Sequence, residues 1–238
     1  MSITFTKEHN TVALVTMDSG ENRQNPEFMS TMAAVLDEIE ADESFKSVVL
    51  CSKHEKFWSV GIDVEWMGGV LAAGKKQEAR DFVYSLNALS KRMLTYPMPL
   101  IAAIGGHTFG DGAMLALCCD FRFMKTDRGF FCFPEVDINI AFMPSMLDII
   151  RKTIPAWFME EMILTGRKVG AKELEDLHIV RKACANEEEL LRESLAFAAT
   201  FAKPRGIFAE HKKRMYKSSI DLMDSEDPAF IEPLNLTA

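Results

Sequence analysis

The sequence predicts an α/β core that is followed by a helical C-terminal region. Up to about residue 144, short β-branched and apolar runs alternate with stretches of helical periodicity. Beyond that point, amphipathic helical patterns dominate. The 238 residues are 48% hydrophobic and 26% charged, the composition of a globular protein with a sizeable core. Disordered and collagen-like proteins are therefore excluded.

The first predicted elements are a hairpin, a capped helix and a buried strand. Residues 3–7 and 11–17 are two β-rich runs separated by a His-Asn turn. Asn25 then caps a helix, because Pro26 follows at the first helical position and apolar residues recur at helical spacing. Residues 47–51 are continuously apolar, which is typical of a strand buried on both faces.

The remaining core elements continue this alternation. We expect a short helix at 62–67 that the Gly68-Gly69 pair ends, a long amphipathic helix at 77–94, a strand at 100–104, a buried helix at 110–119, and strands at 121–125 and 129–133. The elements recur as loosely spaced β-β-α units, without an exact sequence repeat.

The second part of the chain reads as helices, with residues 179–182 as the only strand candidate. From Asp227 onwards, two prolines predict an extended tail. The chain therefore divides into an α/β core at 1–183 and a helical region at 184–238, whose exposed amphipathic helices suit packing on a neighbouring subunit. The helices are expected at 146–154, 156–164, 171–177, 187–202 and 207–223.

Charge and cysteine usage narrow the class of protein. A formal net charge of −8 argues against a general nucleic-acid binder. The apolar runs are too short to span a membrane, and the first residues lack the pattern of a signal peptide. Five cysteines without C-x-x-C spacing lie mostly in apolar runs, which indicates reduced core thiols. We expect a soluble cytoplasmic protein with neither nucleic acid nor membrane as a partner.

The densest glycine cluster spans residues 105–112, between a predicted strand and a predicted helix. It is neither a P-loop nor a dinucleotide-binding G-x-G-x-x-G. Gly110 and Gly112 leave the helix start without side chains, so its free N–H groups can hold a negatively charged oxygen. Close packing of helix on strand explains the same glycines, and both interpretations stay open.

Two further stretches are candidates for chemistry. Residues 57–63 form a strand-to-helix turn that presents the N–H of Ile62, a pattern that is more often structural. Glu135 follows a proline in an apolar neighbourhood, where desolvation would raise its pKa toward that of a general base. The alternatives are an exposed turn glutamate, or Asp137 as the relevant carboxylate. The expected apolar neighbours are Phe131, Phe133, Val136, Ile138 and Phe142.

These stretches, in this order and spacing, resemble the crotonase (enoyl-CoA hydratase/isomerase) superfamily. Residues 57–63 are similar to its first oxyanion segment, and residues 101–120 to its second. The segments Phe133-Pro134-Glu135-Val136 and Leu164-Thr165-Gly166-Arg167 resemble later motifs of the family. The resemblance covers most of residues 1–183, and the run 127–138 is most similar to the Δ3,Δ2-enoyl-CoA isomerases.

The resemblance implies a crotonase-like spiral of β-β-α units, with region 184–238 building homotrimers or dimers of trimers. It implies that the backbone N–H groups of Ile62 and Asp111 form an oxyanion hole for the thioester carbonyl of an acyl-CoA, and that Glu135 is the catalytic residue. It also implies substrate contacts by Arg23, Gln24, Gly61, Asp63, Gly110 and Met114.

Two departures from the family pattern refine the expected activity. The first catalytic glutamate of the hydratases falls on Met114, which cannot activate water. One carboxylate suffices to move a proton between two carbons, so an isomerase without hydratase activity is expected. The family's usual lysine falls on Glu65, so Arg23, Gln24 or the Lys212-Lys213 pair would have to contact the phosphates of coenzyme A. An ordinary solvated face is the alternative for the lysine pair.

The sequence thus predicts an isomerase that moves the double bond of an enoyl-CoA from C3 to C2. No metal and no cofactor is expected beyond the coenzyme A of the substrate. The alternatives are another acyl-CoA reaction on the same fold, such as thioester hydrolysis or decarboxylation, or a catalytically silent acyl-CoA binder. The burial of Glu135 discriminates the silent binder from an enzyme.

Overall fold

A computed structural model describes residues 2–237, so Met1 and Ala238, the ends of the predicted ranges 1–183 and 184–238, lie outside it. The described residues combine strands and helices in alternation. The strands are β1 (Ser2–Glu8), β2 (Val12–Asp18), β3 (Arg23–Gln24), β4 (Ser47–Ser52), β5 (Phe57–Ser59), β6 (Gly61–Ile62), β7 (Leu100–Ile104), β8 (His107–Phe109), β9 (Phe121–Lys125), β10 (Phe131–Cys132) and β11 (Lys182–Cys184).

Helices separate these strands and then follow them. A short 3-10 helix, Glu135–Ile138, precedes the second half of the chain. The α-helices are α1 (Pro26–Ala41), α2 (Val64–Ala72), α3 (Lys76–Leu94), α4 (Asp111–Leu117), α5 (Pro144–Thr153), α6 (Ala156–Thr165), α7 (Ala171–Asp176), α8 (Glu187–Ala198), α9 (Arg205–Met215), α10 (Lys217–Ser225) and α11 (Pro228–Ile231).

The main sheet has the strand order β1-β2-β4-β7-β9-β11. The β1–β2 pair is the antiparallel hairpin that the sequence predicts, and its turn places His9 and Asn10 at positive φ. The other neighbours pair in parallel. Every residue of β7 is buried, which agrees with its continuous apolar run.

Two small sheets stand beside the main one and lead to the candidate site. The first has the order β10-β8-β5, and the second pairs β3 with β6. Strands of two or three residues carry too little periodicity to be recognised in a sequence. Accordingly, β3, β6 and β8 are absent from the sequence prediction, which extends a helix over Ile62.

Both faces of the main sheet are covered. One face packs on the large core, which includes Phe28, Trp58 and Leu94. The other face packs on α8 through Leu190 and Ala198. A helix of the predicted region 184–238 therefore covers the sheet of its own chain, and the division at 183/184 stays a prediction. All five cysteines are unpaired and buried, so the prediction that they lie in the core is confirmed.

Two predicted boundaries are wrong in the helical elements. The Gly68-Gly69 pair does not end a helix, because α2 runs through both glycines to Ala72. A glycine in a helix interior costs only about 1 kcal/mol, and the packing of Trp66 and Val70 against the rest of the chain offsets that cost. The predicted helix at 207–223 is two helices, α9 and α10, which are separated at Tyr216.

The end of the chain is folded where the sequence predicts an extended tail. Asp227 and Ile231 are fully buried, and α11 begins directly after Asp227 and ends at Ile231. Pro228 is the first residue of that helix, a position where proline is favourable because its missing N–H is not needed. None of the helices described in residues 2–237 is long and apolar enough to cross a membrane.

Candidate active site

The candidate site is built where β6 meets the start of α4. Gly61 has φ +83°, and a Cβ on it would lie 2.8 Å from the backbone nitrogen of Asp111 and 2.8 Å from the carbonyl oxygen of Phe109. A side chain at this position would therefore overlap the backbone of the neighbouring segment. Glycine is required here for two reasons, the positive φ and the direct backbone contact.

The two expected N–H groups belong to these touching segments. The N–H of Asp63 donates to the carbonyl of Gln24 across the β3–β6 pair, at 2.8 Å. Because successive N–H groups of a strand point to opposite sides, the N–H of Ile62 points away from β3. Asp111 is the first residue of α4, so its N–H has no acceptor within the helix. This arrangement suits the binding of an oxygen atom by two backbone donors.

Three buried polar side chains, those of Asn22, Ser59 and Gln24, hold β6 in place. The sequence identifies Gln24 as a site residue but neither Asn22 nor Ser59. Asn22 is fully buried at φ +50°, and its Nδ2 donates to the carbonyl of Trp58 at 2.9 Å. Ser59 Oγ donates to the carbonyl of Asn22 and accepts from the N–H of Gly61. Gln24 is also buried, and its Nε2 donates to the carbonyl of Asp111 at 3.1 Å. An asparagine in a turn is too common to signal this role.

Glu135 begins the 3-10 helix and lies over the start of α4. Its Oε1 is 3.2 Å from the position that a Cβ on Gly110 would occupy, and Gly110 has φ +54°. The residue is 8% exposed, and within residues 2–237 its Oε2 has no hydrogen-bond partner. Burial raises the pKa of Glu135 to about 7, and the nearby charge of Asp111 adds to this rise.

The neighbours of Glu135 differ from the sequence expectation. Val136 and Ile138 are 50% and 51% exposed, so the prediction that they shield the carboxyl group is wrong. In a 3-10 helix, successive residues point in different directions, and Asp137 is exposed as well. Phe131 and Phe133 are fully buried, and Phe133 contacts Phe142 edge to face. The competing carboxylate, Asp137, therefore faces away from the buried side.

Asp111 brings a second carboxyl group to the same place. Burial raises the pKa of Asp111 to about 7, although a hydrogen bond from the Gln24 side chain opposes the rise. The charge of Asp111 contributes to the raised pKa of Glu135, because a like charge disfavours ionisation of its neighbour. The site therefore contains two acids whose pKa values are raised to about 7. Among the described residues, Oε2 of Glu135 is fully buried and has no hydrogen-bond partner.

The other predicted substrate contacts have different surroundings. Arg23 is partly exposed and forms an ion pair with Glu21 at 2.6 Å. Asp63 caps α2, because its Oδ1 accepts from the N–H of Trp66. Met114 is 2% exposed and belongs to the hydrophobic core.

The prediction that Lys212 contacts phosphates or lies on a solvated face is wrong. Lys212 is 2% exposed, and its Nζ lies 2.8 Å from Asp120 Oδ2 and 3.0 Å from the carbonyl oxygen of Met93. Its neighbour Lys213 is exposed. The partners that bury Lys212 lie about one hundred positions away in the sequence, so the local Lys-Lys pattern does not reveal this burial.

The candidate base is enclosed instead of standing in an open groove. A groove of about 590 Å³ lies between α1 and α3, with Met29, Phe82 and Leu89 among its lining residues. Neither Glu135 nor Asp111 lines it. The low exposure of Glu135 agrees with this separation, and it is the property that keeps the pKa of the carboxyl group high.

Known proteins place this architecture in one family. The sequence profile described as enoyl-CoA hydratase/isomerase matches residues 7–226. The chain is 28% identical to "Enoyl-CoA delta isomerase 2, peroxisomal" of Arabidopsis thaliana over 239 residues, which cover 97% of this chain and 98% of that protein.

Solved structures of the family share the fold. Human mitochondrial delta3-delta2-enoyl-CoA isomerase superposes with a TM-score of 0.88 at 22% identity, covering 97% of this chain and 89% of that one. Enoyl-CoA hydratase from Bacillus halodurans does so with a TM-score of 0.83 at 19% identity, covering 97% and 92%. The predicted crotonase-like α/β fold with C-terminal helices is thereby confirmed, and the chain belongs to the enoyl-CoA hydratase/isomerase family.

Proposed function

We propose that this protein is a Δ3,Δ2-enoyl-CoA isomerase in which Glu135 carries the proton. One observation carries the proposal: Glu135 is a buried carboxyl group with an unpartnered oxygen among the described residues, placed at the junction of β6 and α4. A buried base with a pKa of about 7 suits proton abstraction near neutrality. The similarity to relatives that are named enoyl-CoA delta isomerases supports the same activity.

The proposed mechanism uses one carboxylate and two backbone donors. The thioester carbonyl oxygen accepts hydrogen bonds from the N–H groups of Ile62 and Asp111. Glu135 removes a proton from C2, and the resulting negative charge spreads over the dienolate, where the two N–H groups stabilise it. The protonated Glu135 then returns the proton to C4. The double bond moves from C3 to C2, and the enzyme regains its starting state.

The same proposal covers substrate binding and cofactors. Coenzyme A enters as part of the substrate, and the proton transfer needs neither a metal nor a redox group. Gly61 and Gly110 provide the bare backbone along which a thioester can lie. Among the predicted phosphate contacts, Arg23 keeps part of its side chain in solvent, and Lys213 is exposed. Cytoplasmic localisation stays a prediction, since the names of two similar proteins place one in the peroxisome and the other in the mitochondrion.

The alternatives differ in what they demand of Glu135. A silent acyl-CoA binder has no use for a buried carboxylate, which costs stability when it ionises. Hydration requires a water molecule activated by a second carboxylate, and the position at which the hydratases carry it holds Met114 in the core. Thioester hydrolysis and decarboxylation remain as alternatives within the family, and the assay described below distinguishes them from isomerisation.

The deciding experiment is incubation with cis- and trans-3-enoyl-CoA of several chain lengths, with the absorbance of the conjugated 2-enoyl thioester as the readout. We expect turnover by the wild type and a fall of roughly 10²–10⁴-fold in Glu135→Gln, with acyl-CoA affinity changed less than tenfold. Asp137→Asn is the matched control, since that carboxylate is exposed two residues away. Near-normal turnover by Glu135→Gln would remove Glu135 from the mechanism.

A second arm of the assay supplies 2-enoyl-CoA and measures 3-hydroxyacyl-CoA. We expect negligible hydration, because Met114 replaces the second carboxylate and apolar residues surround it. Hydration as fast as isomerisation would overturn the isomerase assignment. Release of free coenzyme A or of carbon dioxide without isomerisation would instead favour hydrolysis or decarboxylation.

Self-association as a homotrimer is part of the same proposal. The largest exposed apolar side chains include Trp157 and Leu164, at 60% and 71% exposure. They lie seven residues apart on one face of α6, and the half-exposed Val136 lies near Gly166 at the end of that helix, 3.5 Å from where a Cβ on that glycine would be. Apolar residues exposed together support an interface between protein copies. This surface lies outside region 184–238, to which the sequence assigned the contact.

A further inference from the structure

The segment 227–237, here called the strap, crosses the surface beside Glu135 and is held at both ends. At its first residue, Asp227 is fully buried and accepts three hydrogen bonds. The donors are Asn87 Nδ2 at 2.9 Å, the N–H of Ser145 at 3.1 Å and the hydroxyl of Ser145. Asp227 therefore joins the strap to α3 and to the start of α5.

At its other end, the strap pairs with the chain that follows Glu135. The N–H of Ala141 donates to the carbonyl of Leu236 at 3.1 Å, and Ile140 forms an antiparallel bridge with Thr237. The N–H of Ile140 in turn donates to the carbonyl of Glu135 at 3.0 Å. The strap is thus two hydrogen bonds away from the backbone of the proposed base.

The middle of the strap is also anchored. Ile231 is fully buried against Val83 and Met143. The Nε of Arg80 donates to the carbonyl of Glu232 at 2.7 Å, and the hydroxyl of Tyr84 donates to its carboxylate at 2.6 Å. Loop 139–143 therefore lies between Glu135 and α5, with the strap bound along one side of it.

Glu135 depends on its backbone for orientation. Its Oε2 has no hydrogen-bond partner among residues 2–237, so no neighbouring side chain holds that oxygen in place. Asp227 also supplies the cap that α5 lacks, because the N-cap residue of that helix, Met143, makes no side-chain hydrogen bond to it. The start of α5 and loop 139–143 thus share one external anchor.

We propose that Asp227 is a positioning residue, which holds the strap against loop 139–143 and thereby holds Glu135 at the start of α4. The expected effect of Asp227 on turnover rests on the proposed function, whereas its expected effect on loop 139–143 does not. Removing the anchor loosens Ile140 and Ala141 and lets the carboxyl group of Glu135 leave its productive position. A misplacement of about 1 Å can lower a rate roughly 10²-fold.

The test compares Asp227→Asn with Asp224→Asn. Asp224 is the matched control, because its carboxylate also bonds to a side chain of α3, that of Lys91, but the residue is exposed and lies outside the strap. Amide hydrogen exchange is measured on peptides that cover residues 133–143. We expect exchange at least tenfold faster in Asp227→Asn and unchanged in Asp224→Asn. For isomerisation, we expect kcat to fall about tenfold or more, with KM changed less than threefold.

The outcomes separate this inference from the proposed function. Unchanged exchange at 133–143 in folded Asp227→Asn would overturn the role of Asp227, whatever the activity. Faster exchange with unchanged kcat would also overturn it, since Glu135 would then not depend on the strap. A wild type without isomerase activity would overturn the proposed function, while the exchange comparison would still decide the anchoring. If Asp227→Asn does not fold, Ser145→Ala removes one of the donors and is measured in the same way.

Discussion

Glu135 and Asp111 are two carboxyl groups whose environments raise both pKa values to about 7. Burial is the main cause for each, and the charge of Asp111 adds to the rise at Glu135. In its neutral form, Asp111 does not repel an enolate, so its backbone N–H can serve the substrate although the residue is acidic.

The pair predicts a pH effect for Asp111→Asn. Glu135 must be ionised to accept a proton, so kcat/KM falls as the pH drops below its pKa. Asparagine carries no charge, and the pKa of Glu135 is therefore lower in this variant than in the wild type. We expect the acidic limb of the pH–rate profile to move to lower pH, with substantial activity retained above neutrality.

Asp137→Asn should leave that limb in place, because Asp137 is not among the groups that shift the pKa of Glu135. An acidic limb that does not move in Asp111→Asn would contradict the coupling. A loss as severe as that of Glu135→Gln would make the Asp111 carboxyl group itself an acid–base group.

Among elements, the contact of β6 with α4 determines the geometry of the site. Gly61 brings the backbone of β6 against Asp111, and the buried side chains of Asn22, Ser59 and Gln24 hold it there. These three side chains all form hydrogen bonds to backbone groups. Breaking any of these bonds is costly, because a buried polar group would lose its partner. The spacing of the two N–H donors depends on this packing.

Gly61→Ala is therefore expected to lower both stability and turnover. Alanine at φ +83° costs about 1–2 kcal/mol in backbone strain, and its Cβ must in addition push α4 away. Gly20→Ala is the control, because Gly20 has φ +59° but nothing within 4 Å of the added Cβ. Urea unfolding and isomerase rates are measured on both variants. Equal losses would show that strain alone, and not the β6–α4 contact, matters.

Across the whole molecule, a buried ion pair joins distant parts of the chain. Lys212 on α9 donates to Asp120 and to the carbonyl of Met93 near the end of α3. Asp120 also accepts from the N–H of Leu100 at the start of β7. Burial raises the pKa of Asp120, and the charge of Lys212 opposes that rise. The pair thus connects the helical region to the core.

Lys212→Ala should lower the free energy of unfolding by about 3–5 kcal/mol, since it leaves the Asp120 carboxylate buried without its partner. Lys213→Ala is the neighbouring control, and its effect should stay within about 0.5 kcal/mol because that lysine is exposed. Urea unfolding near neutral pH measures both. A loss of less than about 1 kcal/mol in Lys212→Ala would mean that the structure relaxes to rehydrate Asp120.

The proposed trimer is tested by the mass in solution. Light scattering after size exclusion should give three times the chain mass of 26.8 kDa for the wild type. Trp157→Glu places a charge in the exposed apolar surface of α6 and should yield monomers. Met215→Glu changes an exposed residue of α9 and should remain trimeric. The reverse pattern would assign the contact to region 184–238, and a monomeric wild type would refute the proposal.

How much the sequence reveals differs between these features. The hairpin, the cap at Asn25 and the long helix α3 follow from periodicity and turn residues, which act within a few positions. Glu135 could be singled out because it follows Pro134 in an apolar stretch and matches a catalytic position of the family that the sequence resembles. Which residues shield Glu135 could not be predicted, since the sequence does not show which way Val136 and Ile138 face.

By itself, the sequence determined the fold class, the family and the residue that is proposed as the base. The tertiary structure alone decided that Lys212 is buried, that Asn22 braces β6 and that Asp227 anchors a folded strap. Asp227 meets Asn87 across 140 positions, and Lys212 meets Asp120 across 92. Local patterns record the preferences of neighbouring residues, whereas burial and hydrogen bonding depend on which distant surfaces meet when the chain folds.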